Sequence, residues 1–407
     1  MVLMFLIQTI LWPKSGLLWQ HDFKRASAHA SLQTSNPAPW GELECTPVAL
    51  DRPDDYFTND LPASVPATRW VFPGHTVPQL KKILTGIDFP SSARAWLDES
   101  TNWHLTPGGI HLQPPAAIVA GLPPAARAPL YQALARHPQN FLQATPFRFR
   151  TNGFDAWFAD CGIPPEKVEL MRSLTYEQDG SLCFADAPVV AALCSPEETK
   201  NIIKCLWRVS TFMIKVRVTP QTDVDALMKY WGALGPAHEY KPLVESMARS
   251  ETGPGISMTY FLPAFARLRL YTYPHPRDPT VMRQDCFWSA MNFFNSTPDD
   301  GFFDPGYTQK VLERDYTRVR DDSRRFGDLI MLVGANSQAL HMCVFIADDF
   351  VFTKNGANPQ QPWVLMKLSE MLAQYEKDRP YQLRIFRRTA PVPLGAVQEF
   401  SATTRTL

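Results

Sequence analysis

The spacing of hydrophobic residues changes character near residue 280. Before that point apolar positions recur mostly at helical intervals. "TVPQLKKILTGI" puts Leu80, Ile83 and Leu84 on one face, with Thr76 as cap and Pro78 in the first turn. "PPAARAPLYQALARH" and "PEETKNIIKCLWRVS" share that form, a proline near the start followed by an apolar stripe. "TDVDALMKYWGALG" ends on a glycine suited to a C-cap. Between these helices, "GSLCFAD" and "STFMIKVRVTP" read as short strands, the second alternating Val216 and Val218 with basic residues. Turn residues then cluster in "YTYPHPRDPTV", 271 to 281. Beyond them a helix is expected over 286 to 295, with Phe287, Ala290, Met291 and Phe294 at i, i+3, i+4 and i+7. A polar stretch, 298 to 326, leads to three β-like runs, "DLIMLVG", "HMCVFIA" and "FVFTKN". An amphipathic helix over "WVLMKLSEMLAQYEK" and an alternating run, "YQLRIFRR", complete the pattern.

A helix followed by consecutive strands is an α+β arrangement. The pattern divides the chain into a possible leader and linker (1–40), an α-rich domain of unassigned role (41–270) and a helix-plus-antiparallel-sheet domain (271–407). There is no internal repeat.

Composition narrows the function classes. The 40 basic and 40 acidic residues cancel, so nothing in the charge balance favours nucleic acid as a partner. Proline is high, at 37 residues, while aromatics stay abundant; that implies short helices joined by rigid corners rather than disorder. The apolar stretch from Val2 to Trp12 is too short for a transmembrane span, which takes about 20 apolar residues. It has the length of a leader's apolar segment, although no Lys or Arg precedes it. As a leader it places the protein in the periplasm or outside the cell; as a buried helix it leaves it cytoplasmic. Nothing in the pattern specifies an oligomeric state.

Seven cysteines show no C-x-x-C and no His at zinc-ligand spacing, so neither a structural metal nor another cofactor is expected. Their odd number does not suggest a disulfide framework. Cys286 stands apart because Asp285, a good N-cap type, puts it in the first turn of the 286–295 helix. Unpaired N–H groups and the helix dipole favour a thiolate there, whereas a free cysteine among aromatics is ordinarily a small core hydrophobe. His341 begins the "HMCVFIA" strand, sharing one face with Cys343 and Phe345; the other histidines, His75, His104, His111, His137, His238 and His275 near turns and His21 and His29 near the start, read as surface residues. "ADDF" should fold the strand back as a hairpin. A histidine in a sheet that packs on the cysteine's helix can act as its general base, with a polar residue of the next strand orienting the ring.

Asp285-Cys286 at a helix start, Gly327-Asp328-Leu329 leading into a strand, and "HMCVFIADDFVFTKNG" together resemble the NlpC/P60 superfamily of papain-like cysteine peptidases over about 270 to 390. The resemblance implies a papain-like C-terminal domain, Cys286 as nucleophile, His341 as base, and peptidoglycan stem peptides as substrate outside the cytoplasm. For the third catalytic residue Thr353 falls near the matching spot, but Asn355 is the expected one. Asn355 has the right chemistry, but a two-residue turn would put Lys354 on the His341 face, so Asn355 needs a bulge to bring it round. Asp285 and Trp288 are the candidate substrate-contacting residues; Phe287 and Trp288 stand where the family has small ones. Two alternatives remain. One is a transglutaminase-like or acyl-transferring Cys–His enzyme with Asp348 or Asp349 as third residue. The other is a papain-like module that binds or assembles without catalysis.

Overall fold

The computed structural model describes residues 39–56, 67–150, 154–159, 161–178, 180–232, 239–275, 277–357, 360–375 and 380–389. The apolar stretch Val2 to Trp12, the leader reading that rests on it, and His21, His29 and His238 lie outside the described residues. Among the described residues no helix is long and apolar enough to cross a membrane.

Helices and antiparallel sheets make up the fold, an α+β arrangement. Two compact units divide it, one of them Ala49–Ser210, the other running from Thr211 together with the segment ending at Val48. The division therefore falls at Ser210, not at the proline-rich corner 271–281 where the sequence pattern places it. The reason is hydrophobic: Val216, Trp231, Phe261 and Phe265 bury in the same core as Trp288, Met342 and Phe352, so residues on both sides of that corner fold as one unit.

β1 (Glu42–Leu50) opens the described chain. In the first unit, β2 (Trp70–Pro73), β3 (Trp103–Thr106) and β4 (Gly109–Leu112) form a sheet in the order β2-β4-β3. A second sheet, β5-β7-β6, joins β5 (Phe147–Arg150), β6 (Thr175–Gln178) and β7 (Ser181–Phe184). The α-rich expectation missed most of these strands. Each is four residues long, too short for alternation to show against the helical background. The prolines have a plain role. Helices Val77–Thr85, Pro124–Ala135, Pro165–Ser173, Ala187–Leu193 and Pro196–Leu206 each carry one at the first or second position, where its missing N–H costs no helical bond. The last is also closed by a capping box, with Ser195 N–H donating to the Glu198 carboxylate at 2.7 Å and Glu198 N–H to Ser195 Oγ at 3.2 Å.

Arg127 lies fully buried in this unit. Its guanidinium pairs with Asp186 and donates to the carbonyls of Val119 at 2.9 Å and Leu122 at 3.0 Å, and the Tyr131 hydroxyl also donates to Asp186. Cys161 and Cys205 form a disulfide, while Cys45, Cys183, Cys194, Cys286 and Cys343 remain thiols.

In the second unit β1 pairs with β8 (Val209–Arg217), which pairs with β9 (Gly255–Ser257). The larger sheet has six antiparallel strands in the order β10-β15-β11-β12-β13-β14. They are β10 (Tyr316–Val319), β11 (Leu329–Gly334), β12 (Ala339–Ala347), β13 (Phe350–Lys354), β14 (Trp363–Lys367) and β15 (Tyr381–Arg388). β14 corrects the sequence pattern, which runs a helix through it. Trp363 to Met366 are buried without alternation and pair with β13, and the helix begins only at Leu368. A continuous apolar run cannot be told from a buried helix by period alone. The polar stretch 298–326 likewise carries a helix, Pro305–Asp315, besides β10.

The "GDL" lead-in to β11 has a structural explanation. Gly327 takes φ +86°, where a side chain would be strained. Asp328, 2% exposed, accepts from Arg387 of β15 at 2.9 and 2.7 Å and from Arg325 N–H at 2.8 Å. The bidentate pair fixes β15 against β11.

Arg127 and Asp186 supply the stability test. Asp186→Ala leaves a buried guanidinium without its counter-charge and should cost about 3–5 kcal/mol of unfolding free energy. The double variant Arg127→Met/Asp186→Leu should recover most of that loss in urea denaturation. Equal destabilisation by both would contradict the assigned role of the pair.

Candidate active site

The cysteine's helix is short, Cys286–Met291, and Asp285 caps it by accepting Trp288 N–H at 2.8 Å. Ala290, Met291, Phe293 and Phe294 sink into the core with Met342 and Val344 of β12 and Phe352 of β13, so the helix start is held against those two strands. Two indole N–H groups fix it further: Trp363 donates to Ser289 Oγ at 2.8 Å, and Trp288 to Asp300 at 3.2 Å.

Two bulges shape the sheet beside this helix. The β11–β12 register skips Leu340, with Leu332 opposite His341 and Val333 opposite Ala339. The β12–β13 hairpin has the expected two-residue turn at Asp348-Asp349, with Asp348 at φ +52°, but its register skips Ile346. That extra residue reverses the parity of β13. Val344 falls opposite Phe352, so Thr353 and Asn355 share the His341 side and Lys354 takes the side of Phe352.

The hydrogen bonds follow that register. His341 Nε2 lies 3.0 Å from Thr353 Oγ1, and Thr353 Oγ1 donates to Asn355 Oδ1 at 3.3 Å. A hydroxyl has one proton; since Thr353 spends it on Asn355, it must accept from His341 Nε2–H. The ring is therefore the Nε2–H tautomer, and its Nδ1 carries a lone pair. Nδ1 is buried and has no hydrogen-bond partner. The Tyr375 ring packs on His341 at 5.2 Å. His341 is the one buried histidine among the described residues, and burial lowers its pKa to about 3.

Cys286 meets β12 at the residue after His341. The backbone N–H of Met342, the residue after His341, donates to Cys286 Sγ, and the thiol lies within electrostatic reach of Cys343, on the His341 side of β12. No hydrogen bond joins Cys286 to His341. The helix start does not produce the expected thiolate. Burial, and after it the Asp285 charge, raises the Cys286 pKa to about 12, against the opposing pull of Met342 N–H and Lys354. A six-residue helix has too small a dipole to offset a thiol only 4% exposed.

The other candidates sort by environment. Trp288 is a core residue, 1% exposed, stacked on Phe303 at 5.6 Å and edge-on to Phe265 at 5.3 Å; its position is taken up by packing, which corrects its assignment as a substrate contact. Asp285 spends its carboxylate on the cap, and burial raises its pKa. Phe287 packs partly buried on the same core. Asp348 and Asp349 lie at the turn, about 20 Å along β12 from His341, so neither orients its ring. Asp349 instead accepts from Ser369 at 2.7 Å. One residue of the site escaped the sequence reading as a participant. Lys354, 0% exposed, ends β13 beside Asp285 and Cys286 and donates to Gly356 O at 2.9 Å. An unbroken lysine in a strand otherwise buried on both faces was its only signal. Among the described residues no group of three or more His, Cys, Asp and Glu is placed to hold a metal ion. The chain matches no family model, no curated protein and no solved structure.

The neutral, buried His341 makes stability depend on acid. Its unfolded value is near 6.5 and its folded value about 3, so between these the unfolded chain binds the extra proton and stability falls as pH falls. The slope is about 1.4 kcal/mol per pH unit. From pH 6.5 to 4.5, urea denaturation should show His341→Gln losing about 2 kcal/mol less than the wild type. Parallel losses would place the acid sensitivity elsewhere.

Proposed function

We propose that this protein is a thiol-dependent hydrolase of amide bonds on a papain-like C-terminal unit, acting outside the cytoplasm on cell-wall peptides. One observation carries the reading: a buried imidazole nitrogen with an open lone pair belongs to the residue next to the one whose N–H meets the Cys286 thiol. The Thr353–Asn355 relay holds the ring in the required tautomer, and the bulge at Leu340 sits where such irregularities re-aim a functional side chain. In the reaction His341 Nδ1 takes the proton from Cys286 as Sγ bonds to the amide carbon. The carbon–nitrogen bond then breaks, the amine leaves with that proton, and water cleaves the thioester. Cell-wall peptides and the extracytoplasmic site come from the resemblance over about 270 to 390.

Burial of the whole group favours a second reading. With Cys286 at 4% and His341 at 0% exposure, substrate reaches the thiol only after the site opens, and a papain-like module that binds without catalysis needs no opening. Muropeptides read by mass separate the two. The hydrolase should cleave a stem-peptide bond, Cys286→Ala should abolish cleavage, and His341→Ala should slow it by about 10²–10⁴-fold. Iodoacetamide near neutral pH should label Cys286 ahead of the buried Cys183 and Cys343, and His341→Ala should remove that preference. Intact muropeptides together with unselective labelling would sink the hydrolase and leave the binding module.

A further inference from the structure

Lys354 is the buried ionisable group that the reaction above does not use. Fully burying a lysine is costly unless a charge or hydrogen bonds answer it. Its place comes from the Ile346 bulge, which turns it to the side of Phe352, and Phe352 packs against Phe293, just past the cysteine's helix, at 5.4 Å. Its partner across the ladder, Trp363, donates to Ser289 of that helix. The charged and titratable groups facing Lys354 and Cys286 are Asp285 at the helix cap and Cys343 on β12, with Arg324 near Cys343; His341 precedes Met342 on β12 and takes the other side from Lys354.

We propose that Lys354 is a positioning residue for the nucleophile: its ammonium is the counter-charge that the Cys286 thiolate faces in the closed site. This rests on Cys286 being the nucleophile of the proposed reaction. The charge count supports it. With His341 neutral, an ammonium at Lys354 balances the Asp285 carboxylate, so the thiolate forms beside a neutral pair and not beside an unanswered carboxylate. With a neutral amine at Lys354 the Asp285 charge would face the thiolate directly.

Proton counting gives this a signature. Lys354 is lowered to about 7 by burial, while Cys286 is raised to about 12. Above pH 7 a thiolate beside an ammonium holds the same number of protons as a thiol beside an amine, so its population no longer changes with pH. Alkylation of Cys286 by iodoacetamide, read on its own peptide by mass, should rise about tenfold per pH unit up to neutrality and then level off. In Lys354→Met the plateau should vanish, and the rate at pH 7.5 should fall at least tenfold. Superimposable profiles would overturn the inference. If Lys354→Met does not fold, the wild type with [ε-¹³C]lysine decides. One lysine titrating near neutral pH and moved by Cys286→Ser supports the pairing; every lysine titrating above pH 9 overturns it. None of these readouts uses a peptide substrate, so a failure of cell-wall cleavage leaves the inference standing.

Discussion

Between Phe345 and Ala347 the ladder of the six-stranded sheet carries one residue more on β12 than on β13, and the placement of the buried polar side chains of β13 depends on that mismatch. A one-residue slip moves every later side chain of a strand to the opposite face. Here it turns Thr353 and Asn355 toward His341 and Lys354 toward the cysteine's helix. In a regular hairpin the imidazole would face an ammonium, and the thiol would face a threonine and an amide. The hairpin turn at Asp348-Asp349 is unchanged in either case, so the turn sets where the chain reverses and the bulge sets what faces what.

Desolvation governs the electrostatics that follow. Cys286, His341 and Lys354 are all pushed toward their neutral forms, thiol, imidazole and amine, by the same burial. The thiol and the imidazole are thereby neutral at rest, while Lys354, lowered to about 7, is divided between amine and ammonium near neutral pH. The hydrogen bonds around it do the selecting. Thr353 and Asn355 fix which ring nitrogen is open, and Met342 N–H fixes where the sulfur lies.

Much of this was legible in the sequence because it depends on local residue types. Asp285 caps, Cys286 follows it, Gly327 turns, and alternation marks β12 and β15. The pairing of Asp328 with Arg387 was not, because its partner lies 59 residues away and ion pairs leave no period. The unit boundary was misplaced for a related reason: prolines mark corners, and a core formed by Trp231, Phe261 and Trp288 runs straight past one. Trp288 drew attention as a bulky neighbour of Cys286, yet its ring fills core space. Asn355 was the expected partner of His341, with Thr353 the runner-up, and in the folded chain both belong to one relay from the ring. Strand parity read without bulges gave Lys354 the wrong face, which hid it as a partner of Cys286.

The two indole bonds that hold the cysteine's helix have a mechanical meaning. Trp363 anchors it to the edge of the sheet and Trp288 anchors it to the segment that follows, so the helix is clamped at both flanks. A clamped helix is a poor hinge. Exposing the sulfur by swinging the helix outward would break both anchors and empty the aromatic packing around Phe265 and Phe303. Cys286 thus belongs to the stationary part of the unit, like the bed of a vice, and access to its sulfur is a matter of which neighbouring segment acts as the moving jaw.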